Sequence, residues 1–337
     1  MENNQKRINY LNEYLKQKFG ERTLKICIDG NFTCPNRDGT CGIGGCIFCG
    51  EKGAGEHLNS PLKSIISPQI ESTNFQKTAT YTNISTLDTI ESIKMQLKDY
   101  FSSYRAQRAK KFLVYFQNFT NTYDTIENLK SKYDAALCDS RIIGLCVATR
   151  PDCINEEIVK LLKSYQNHYY VSVELGLQTS DDSIGNFINR GYPSSRFTEA
   201  VSLLNKYDID VVTHIMVGLP GETFETIKKT VDFINQHNLQ GIKIHSTYVI
   251  KGTKLANLYY DGKYTPITLD YYLEALSNIL THISPEIVIH RISGDSPKDL
   301  LIAPEWNLHK KWVLNGIEKK FKEENLKQGM FYNSRKK

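Results

Sequence analysis

Hydrophobic and polar residues follow two different periods along most of this chain. Short runs rich in β-branched and aromatic residues, which favour strands, are separated by stretches in which apolar residues recur every three or four positions, as in amphipathic helices. The pattern predicts strands over residues 23–28, 111–117, 142–149, 169–175, 209–217, 241–249 and 286–292. It predicts helices over residues 125–137, 155–165, 180–188, 197–206, 222–236, 269–282 and 307–327. Strands that alternate with helices indicate βαβ units and a parallel α/β sheet.

The length of 337 residues is compatible with two domains, but α/β barrels of 200–250 residues commonly form one. We therefore predict a single barrel-like domain over residues 21–285. A helix is expected within residues 1–20 before it, and a C-terminal extension over 286–337 after it. Residues 50–85 are rich in Ser, Thr and Asn and show little periodicity. They are predicted to form an irregular loop, either a functional lid or a disordered segment.

Composition excludes several classes of protein. Apolar residues make up 40% of the chain and charged residues 23%, which excludes collagen, coiled coils and a wholly disordered chain. The longest apolar run covers residues 142–148, far less than the roughly 20 residues that span a bilayer. The first residues are polar and show no signal-peptide pattern. We expect no membrane contact and a cytoplasmic location.

Positive charge is concentrated at the C-terminus. The whole chain has a net charge of +5, and residues 310–337 contain nine Lys or Arg against three Glu. This basic tail suits an anionic partner, although a solvated helix explains it equally well.

Four of the eight cysteines lie within sixteen residues, directly after the first predicted strand. Their spacing is Cys34-x6-Cys41-x4-Cys46-x2-Cys49. A Cys-x2-Cys pair brings two soft thiolates to one metal centre. Zinc usually requires a second such pair, which is absent, whereas iron–sulfur clusters accept irregular spacings. The spacing favours an iron–sulfur cluster and leaves zinc open.

The residues around these cysteines resemble the cluster loop of radical S-adenosylmethionine (SAM) enzymes. More closely, they resemble a bacterial subfamily related to the Elongator catalytic subunit, in which the ligands follow Cys-x11-Cys-x2-Cys. The matching segments, in order, are FTCPNRDGT (32–40), GGCIFC (44–49), YFQNFTNTY (115–123), ATRPDC (148–153), VELGLQTS (173–180), INRG (188–191), VGLPGE (217–222), IKIH (242–245), KGT (251–253) and LIAP (301–304).

The resemblance implies a partial TIM-type (β/α)6 radical SAM barrel with a helical, basic C-terminal extension. It implies that Cys34, Cys46 and Cys49 hold a [4Fe–4S] cluster whose open iron binds SAM, with Cys41 as a bystander. It also implies reductive cleavage of SAM to a 5′-deoxyadenosyl radical, and hence a reducing electron donor such as flavodoxin or ferredoxin.

The same resemblance assigns residues to SAM. Glu174 and Gln178 are expected on its ribose and amino side, and Arg190 on its carboxylate. The strand that ends at Gly218 is expected to hold adenine through its backbone. Gln117 and Asn118 are expected near the methionyl amine, although the usual Gly-Gly-Glu is missing there.

Two predicted strands each place polar side chains on one face by alternation. Lys243 and His245 share a face of one strand, and His214 and Met216 share a face of another. Polar side chains that face a barrel interior suggest a site, although a lone His is more often a satisfied core residue. Lys243, His245 and Arg150 are the substrate-side candidates. Arg150 has an alternative role as a simple ion pair with Asp152.

The nearest resemblance implies modification of a tRNA wobble uridine, in which a carboxymethylaminomethyl group is trimmed to aminomethyl. The basic tail suits RNA, and Trp306, Trp312 and Phe321 offer either stacking surfaces or helix-packing residues. Two alternatives stay open. One is a radical SAM oxidoreductase that acts on a small molecule, and the other is a non-catalytic module that binds zinc or nucleic acid.

Overall fold

The fold is described from a computed structural model of the chain. It describes residues 7–53, 58, 85–294 and 296–333. Most of the irregular loop predicted over residues 50–85 therefore lies outside the described residues.

The centre of the molecule is a parallel sheet of seven strands that lie side by side in chain order. These strands are β1 (Thr23–Ile28), β2 (Lys111–Phe116), β3 (Ile142–Thr149), β4 (Tyr170–Gln178), β5 (Asp210–Val217), β6 (Gly241–Ser246) and β8 (Val288–Arg291). The sheet curls into a half-barrel, which confirms the predicted partial TIM-type α/β fold. It has one strand more than the (β/α)6 barrel that the resemblance implies. The additional strand, β8, matches the strand predicted over 286–292 and lies within the residues assigned to the C-terminal extension.

Helices connect the strands and cover the outer face of the sheet. They are α1 (Leu11–Phe19), α2 (Thr86–Ser102), α3 (Ile126–Ala136), α4 (Glu156–Tyr165), α5 (Asp182–Phe187), α6 (Ser194–Lys206), α7 (Phe224–Ile234), α8 (Lys254–Tyr260), α9 (Leu269–His282) and α10 (Lys310–Glu323). Side-chain caps fix several of the starts. Thr125, for example, accepts a hydrogen bond from the N–H of Asn128 and begins α3, as expected of an N-cap Thr.

Helix α2 is a finding that the sequence pattern did not predict. Its buried face combines Ile93 and Leu97 with the polar Thr89 and Ser92, so its apolar stripe is interrupted. A capping box between Ser85 and Asp88 begins the helix, and such a box satisfies two otherwise unpaired backbone groups.

The predicted strand over 241–249 is wrong in its second half. Strand β6 ends at Ser246, and the next two extended residues form β7 (Val249–Ile250). This short strand pairs antiparallel with β9 (Leu301–Ala303), outside the large sheet. The strand is interrupted at Thr247 and Tyr248, and after this interruption the hydrogen-bonding partner changes from the large sheet to β9.

The two faces of the half-barrel differ in chemistry. The outer face carries fully buried apolar residues such as Val114, Val147 and Val173, which pack against the helices. The inner face is polar along much of its length. Its lower end is closed by α1, whose Leu15 packs with Tyr115 in a separate apolar cluster. The helix expected within residues 1–20 is therefore confirmed, and it closes one end of the interior.

The C-terminal helix α10 packs against α9 through Val313, Ile317 and Phe321. Trp306 is also buried and stacks on Tyr272 with ring centroids 5.2 Å apart. Of the three aromatic residues considered for base stacking, Trp306 and Phe321 are buried and Trp312 is exposed. In the described part of the chain, none of the helices combines the length and the apolar character needed to cross a membrane.

Candidate functional site

The cysteine loop that follows β1 opens onto a cavity of about 260 Å³ at the upper end of the half-barrel. Cys34, Cys46 and Cys49 all line this cavity, and all three are free thiols. Burial, followed by the nearby thiols of Cys49 and Cys34, raises the pKa of Cys46 to about 12. Cys41 is exposed and does not line the cavity. The structure thus brings together the three cysteines expected as ligands and separates the fourth from them.

Two asparagines hold the cysteine loop in place. The buried amide of Asn36 donates to the carbonyl of Asn189 at 2.6 Å and lies 3.8 Å from the sulfur of Cys46. Asn189 in turn donates to the carbonyl of Gly45 at 2.8 Å. The INRG segment therefore fixes the cysteine loop from the neighbouring end of β4.

Glycines allow the tight path of this loop. Gly44 and Gly45 both have positive φ, 80° and 75°, a conformation that residues with a Cβ rarely adopt. Their turn directs Cys46 and Cys49 into the cavity. The guanidinium of Arg37 then donates to the carbonyls of Cys49 (3.2 Å) and Glu51 (3.3 Å), which fixes the end of the loop.

Deeper in the half-barrel, a basic network surrounds the carboxylate of Glu174, which has no exposed surface. Its Oε1 accepts from Lys25 Nζ at 2.7 Å, and its Oε2 accepts from His214 Nε2 at 2.7 Å and from Lys243 Nζ. Tyr115 also bonds to this carboxylate. Glu174 thus joins side chains from β1, β2, β5 and β6 across the interior.

The charges of this network shift its pKa values. Burial alone raises the pKa of Glu174, but Lys243 and Lys25 hold it well below its usual range. Burial lowers the pKa of Lys243 to about 8, although Glu174 opposes this shift. Burial and the charge of Lys243 lower the pKa of His214 to about 4. At neutral pH, the network therefore contains an ionised Glu174, a neutral His214 and a largely protonated Lys243.

The substrate-side candidates Lys243 and His245 both line the cavity, as their alternation on β6 predicted. The His245 ring lies 5.4 Å from that of His214, centroid to centroid. Burial, followed by the neighbouring His214 and Arg291, lowers the pKa of His245 well below its usual range. Their catalytic role stays a prediction.

Arg150 also lines the cavity, but near the cysteines. Its guanidinium donates to both oxygens of Asp152 at 2.9 and 2.7 Å, so the predicted ion pair is confirmed. A third bond goes to the carbonyl of Arg190. Its charge acts on Cys34 and Cys46. Arg150 therefore lies on the cysteine side of the cavity, and its role at the substrate stays a prediction.

Of the residues expected to bind SAM, the cavity is lined by Gln117, Glu174 and Gln178. The side-chain oxygen of Gln178 accepts from the hydroxyl of Tyr192 at 3.1 Å. Both oxygens of Glu174 already have partners in the basic network, so a contact with SAM requires one of them to be displaced. The binding roles of these three residues stay predictions.

Asn118, Arg190 and Gly218 do not line the cavity. The guanidinium of Arg190 is buried and donates to three backbone carbonyls and to Asp182. The N–H of Gly218 donates to Glu222, and its carbonyl accepts from the hydroxyl of Tyr264. In this structure Arg190 and Gly218 stabilise the turns around the cavity, and the SAM contacts that the resemblance implies for them stay predictions.

The helix predicted over 222–236 begins after Glu222, because Thr223 is the N-cap of α7. The Glu222 carboxylate instead folds back and accepts from the N–H groups of Gly218 (2.6 Å) and Leu219 (3.4 Å). Burial raises its pKa to about 8, against the opposing effect of these two bonds.

This shift predicts a pH-dependent stability. The carboxyl group of Glu222 titrates near 4.5 in the unfolded chain, so the folded state binds the proton more tightly. The protonated group therefore stabilises the folded state at low pH, and this contribution is lost as pH rises from 4.5 to about 8. We expect Glu222→Gln to raise the free energy of unfolding relative to wild type by on the order of 3 kcal/mol more at pH 8.5 than at pH 5.5. Urea unfolding at both pH values measures this difference. The exposed Glu199→Gln serves as control, and an equal pH response in both variants would contradict the prediction.

Several residues of the site were missed by the sequence analysis. Lys25 and Tyr115 belong to the basic network, and Asn36 and Asn189 to the cysteine loop. Lys25 had a detectable signal, because it is a charged residue within an otherwise apolar strand. Asn36 and Asn189 lie in the quoted segments, but nothing in their local sequence indicates that they contact each other.

The residues of the cavity fit the cofactors that the resemblance implies. Three free thiols are soft ligands, and a [4Fe–4S] cluster binds each to a different iron, so the thiols need not meet at one point. In the described part of the chain, no three His, Cys, Asp or Glu side chains are arranged to hold a single metal ion. The buried hydroxyl of Thr120 lines the cavity, and no hydrogen-bond partner for it is found among the described residues. It is a polar atom available to a ligand such as SAM.

Comparison with known families decides the identity of the chain. Residues 38–234 match the Radical SAM superfamily, and residues 239–323 match the Radical SAM C-terminal domain. The chain is a radical SAM protein. The family predicted from the cysteine loop is therefore confirmed, and membership implies SAM and a [4Fe–4S] cluster as cofactors of an enzyme.

Relatives extend this assignment over nearly the whole chain. The uncharacterized protein YtqA of Bacillus subtilis is 34% identical over 98% of this radical SAM chain and 94% of its own. Protein YhcC of Escherichia coli is 31% identical over 90% of this chain and 88% of its own. A tRNA uridine(34) acetyltransferase of Dehalococcoides mccartyi is 33% identical, but over only 48% of this chain and 36% of its own.

The fold has a counterpart among solved structures. An archaeal Elp3 from Methanocaldococcus infernus superposes with a TM-score of 0.60 and 20% identity, over 71% of this chain and 60% of that one. At this identity the likeness shows the shared fold alone. YtqA and YhcC, each more than 30% identical over most of both chains, place the chain in their group of radical SAM proteins.

Proposed function

We propose that this radical SAM enzyme modifies the wobble uridine of a tRNA by converting a carboxymethylaminomethyl group to aminomethyl. The observation that carries the proposal is that the cysteine loop and a basic, polar interior share one cavity. The half-length similarity to tRNA uridine(34) acetyltransferases supports a wobble uridine as the substrate.

Each part of the cavity has a proposed task. Cys34, Cys46 and Cys49 hold the cluster, and Gln117 and Gln178 bind SAM beside it. When bound and reduced by a donor such as a flavodoxin or ferredoxin, the cluster supplies the electron that cleaves SAM to a 5′-deoxyadenosyl radical. The enclosed walls exclude water from that reactive species. Lys243 and His245 face the space left for the substrate.

Positive charge supports contact with RNA. The C-terminal helix contributes less free positive charge than its count of Lys and Arg residues suggests. Lys320 pairs with Glu274 (2.9 Å) and Glu324 (2.7 Å), which offsets part of the basic tail. The net charge of +5 still favours phosphate binding, and Trp312 offers an exposed ring stacked on His309. We propose a tRNA partner in the cytoplasm.

Nucleoside mass spectrometry of tRNA tests the proposal. We expect a deletion strain to accumulate the carboxymethylaminomethyl uridine and to lose its aminomethyl product. A plasmid copy with Cys41→Ala is expected to restore the product, and a copy with Cys46→Ala is expected not to. An unchanged tRNA profile, with the gene expressed in the parent strain, would instead point to a small-molecule substrate.

A further inference from the structure

Two lysines of the basic network share a single carboxylate. Lys25 bonds to one oxygen of Glu174 at 2.7 Å, and Lys243 bonds to the other. The exposed fraction of the side chain is 14% for Lys25, 7% for Lys243 and 0% for Glu174. The third partner of Glu174, His214, is neutral at pH 7 because burial lowers its pKa. With both lysines protonated, this group of four side chains carries one positive charge in excess.

An excess charge in a buried position is unfavourable unless a counter-charge is present. Lys243 shows this cost, because burial and the nearby Lys25 and Arg291 lower its pKa to about 8 even though it contacts Glu174. Its ammonium also lies 4.1 Å from the ring centroid of Tyr115, a contact that stabilises a cation but does not neutralise it. Within the described part of the chain, Glu174 is the one carboxylate paired with Lys25 and Lys243, so a bound anion would supply a second opposite charge.

The excess charge faces the space available to a ligand. Lys243 lines the same cavity as the three cysteines, while Lys25 does not. Two residues further along β6, His245 lines it as well, and Arg291 of β8 lies opposite Lys243 in the register of the sheet. Lys243 and Arg291 therefore form one wall, which we call the cationic wall, and the neutral His245 lies beside it.

We propose that the cationic wall binds a carboxylate of the substrate and that Lys243 is the residue that recognises it. This inference rests on the proposed function, because the carboxymethylaminomethyl group ends in a carboxylate and the aminomethyl product lacks one. The substrate carboxylate places a negative charge beside Lys243. The product presents only a cationic amine to it, which favours release.

Equilibrium binding of two tRNAs that differ only in this group tests the proposal. The oxidised holoenzyme with SAM is titrated, without reductant, with tRNA that carries either carboxymethylaminomethyl uridine or aminomethyl uridine. We expect the wild type to bind the carboxylate form about 10-fold more tightly, as a charged hydrogen bond provides. Lys243→Gln should bind both forms equally, and Lys243→Arg should retain part of the preference. Exposed Lys229→Gln is the matched control and should retain the full preference.

The outcomes separate this inference from the proposed function. If Lys243→Gln instead weakens the binding of both tRNAs equally and keeps the preference for the carboxylate form, the inference is overturned. Lys243 then contacts a group common to both tRNAs, such as a backbone phosphate. If wild type shows no preference yet converts the carboxylate form when reductant is added, the inference fails and the proposed function stands. If the wild type neither prefers nor converts the carboxylate form, the inference and the proposed function both fail. Cluster content and circular dichroism equal to wild type show that the variant is folded.

Discussion

Cys46→Ala is expected to lose the iron–sulfur cluster and to reduce 5′-deoxyadenosine formation from SAM to background. Cys46 lies between the other two cavity thiols along the loop, and its buried sulfur is close enough to both that they raise its pKa. The substitution therefore removes one of the three thiolates proposed to hold the cluster. Three thiolates would hold three irons of the cluster and leave the fourth for SAM, and two thiolates are too few for this arrangement.

The measurement is iron and sulfide content after anaerobic purification, together with chromatographic detection of 5′-deoxyadenosine under reducing conditions. Cys41→Ala is the matched control, because Cys41 belongs to the same loop but is exposed. It should keep both cluster and SAM cleavage. Loss of the cluster in Cys41→Ala would overturn the three-ligand assignment. Zinc without iron in the wild type would favour the zinc-binding alternative.

Glu174→Gln is expected to have the second largest effect, a loss of about 3–5 kcal/mol in the free energy of unfolding. The substitution preserves shape but removes the negative charge that Lys25 and Lys243 share. Two buried ammonium groups then lie close together without a carboxylate between them. The pKa of Lys243, already lowered to about 8, should fall further, because its main stabilising partner is gone.

Urea unfolding at pH 7 measures this loss. Glu174→Asp keeps the charge and should be less destabilised than Glu174→Gln. The control Glu199→Gln removes an exposed carboxylate that pairs with Arg196 at 2.6 Å, and exposed pairs are worth about 0–1 kcal/mol. Similar losses for Glu174→Gln and Glu199→Gln would show that the buried carboxylate does not stabilise the network.

Most elements of the fold were predictable because their signals are local. The strand pattern placed the seven strands of the large sheet to within a few residues, and the helix predicted over 269–282 matches Leu269–His282. The misses also have local causes. Polar Thr89 and Ser92 interrupt the buried face of α2, and the short α8 lacks the length that makes a periodic pattern visible. β8 was recognised as a strand but not as part of the sheet.

The candidate site was predictable only where a side chain type is unusual for its place. Clustered cysteines stand out, and so do Lys243 and His245 on a strand that is otherwise apolar. Arg190 and Gly218 illustrate the opposite case. Both lie in segments matching the family, yet their hydrogen bonds in this structure are used within the surrounding turns.

The sequence by itself determined which residues form strands and helices and which cysteines are clustered, because periodicity and spacing are properties of neighbouring residues. Only the tertiary structure decided which charges meet. Lys25 and Glu174 are separated by 149 positions, yet they form an ion pair of 2.7 Å. Their contact depends on the curl of the sheet, which brings β1, β4 and β6 to one interior. In a buried space, that proximity sets protonation states and the charge available to a ligand.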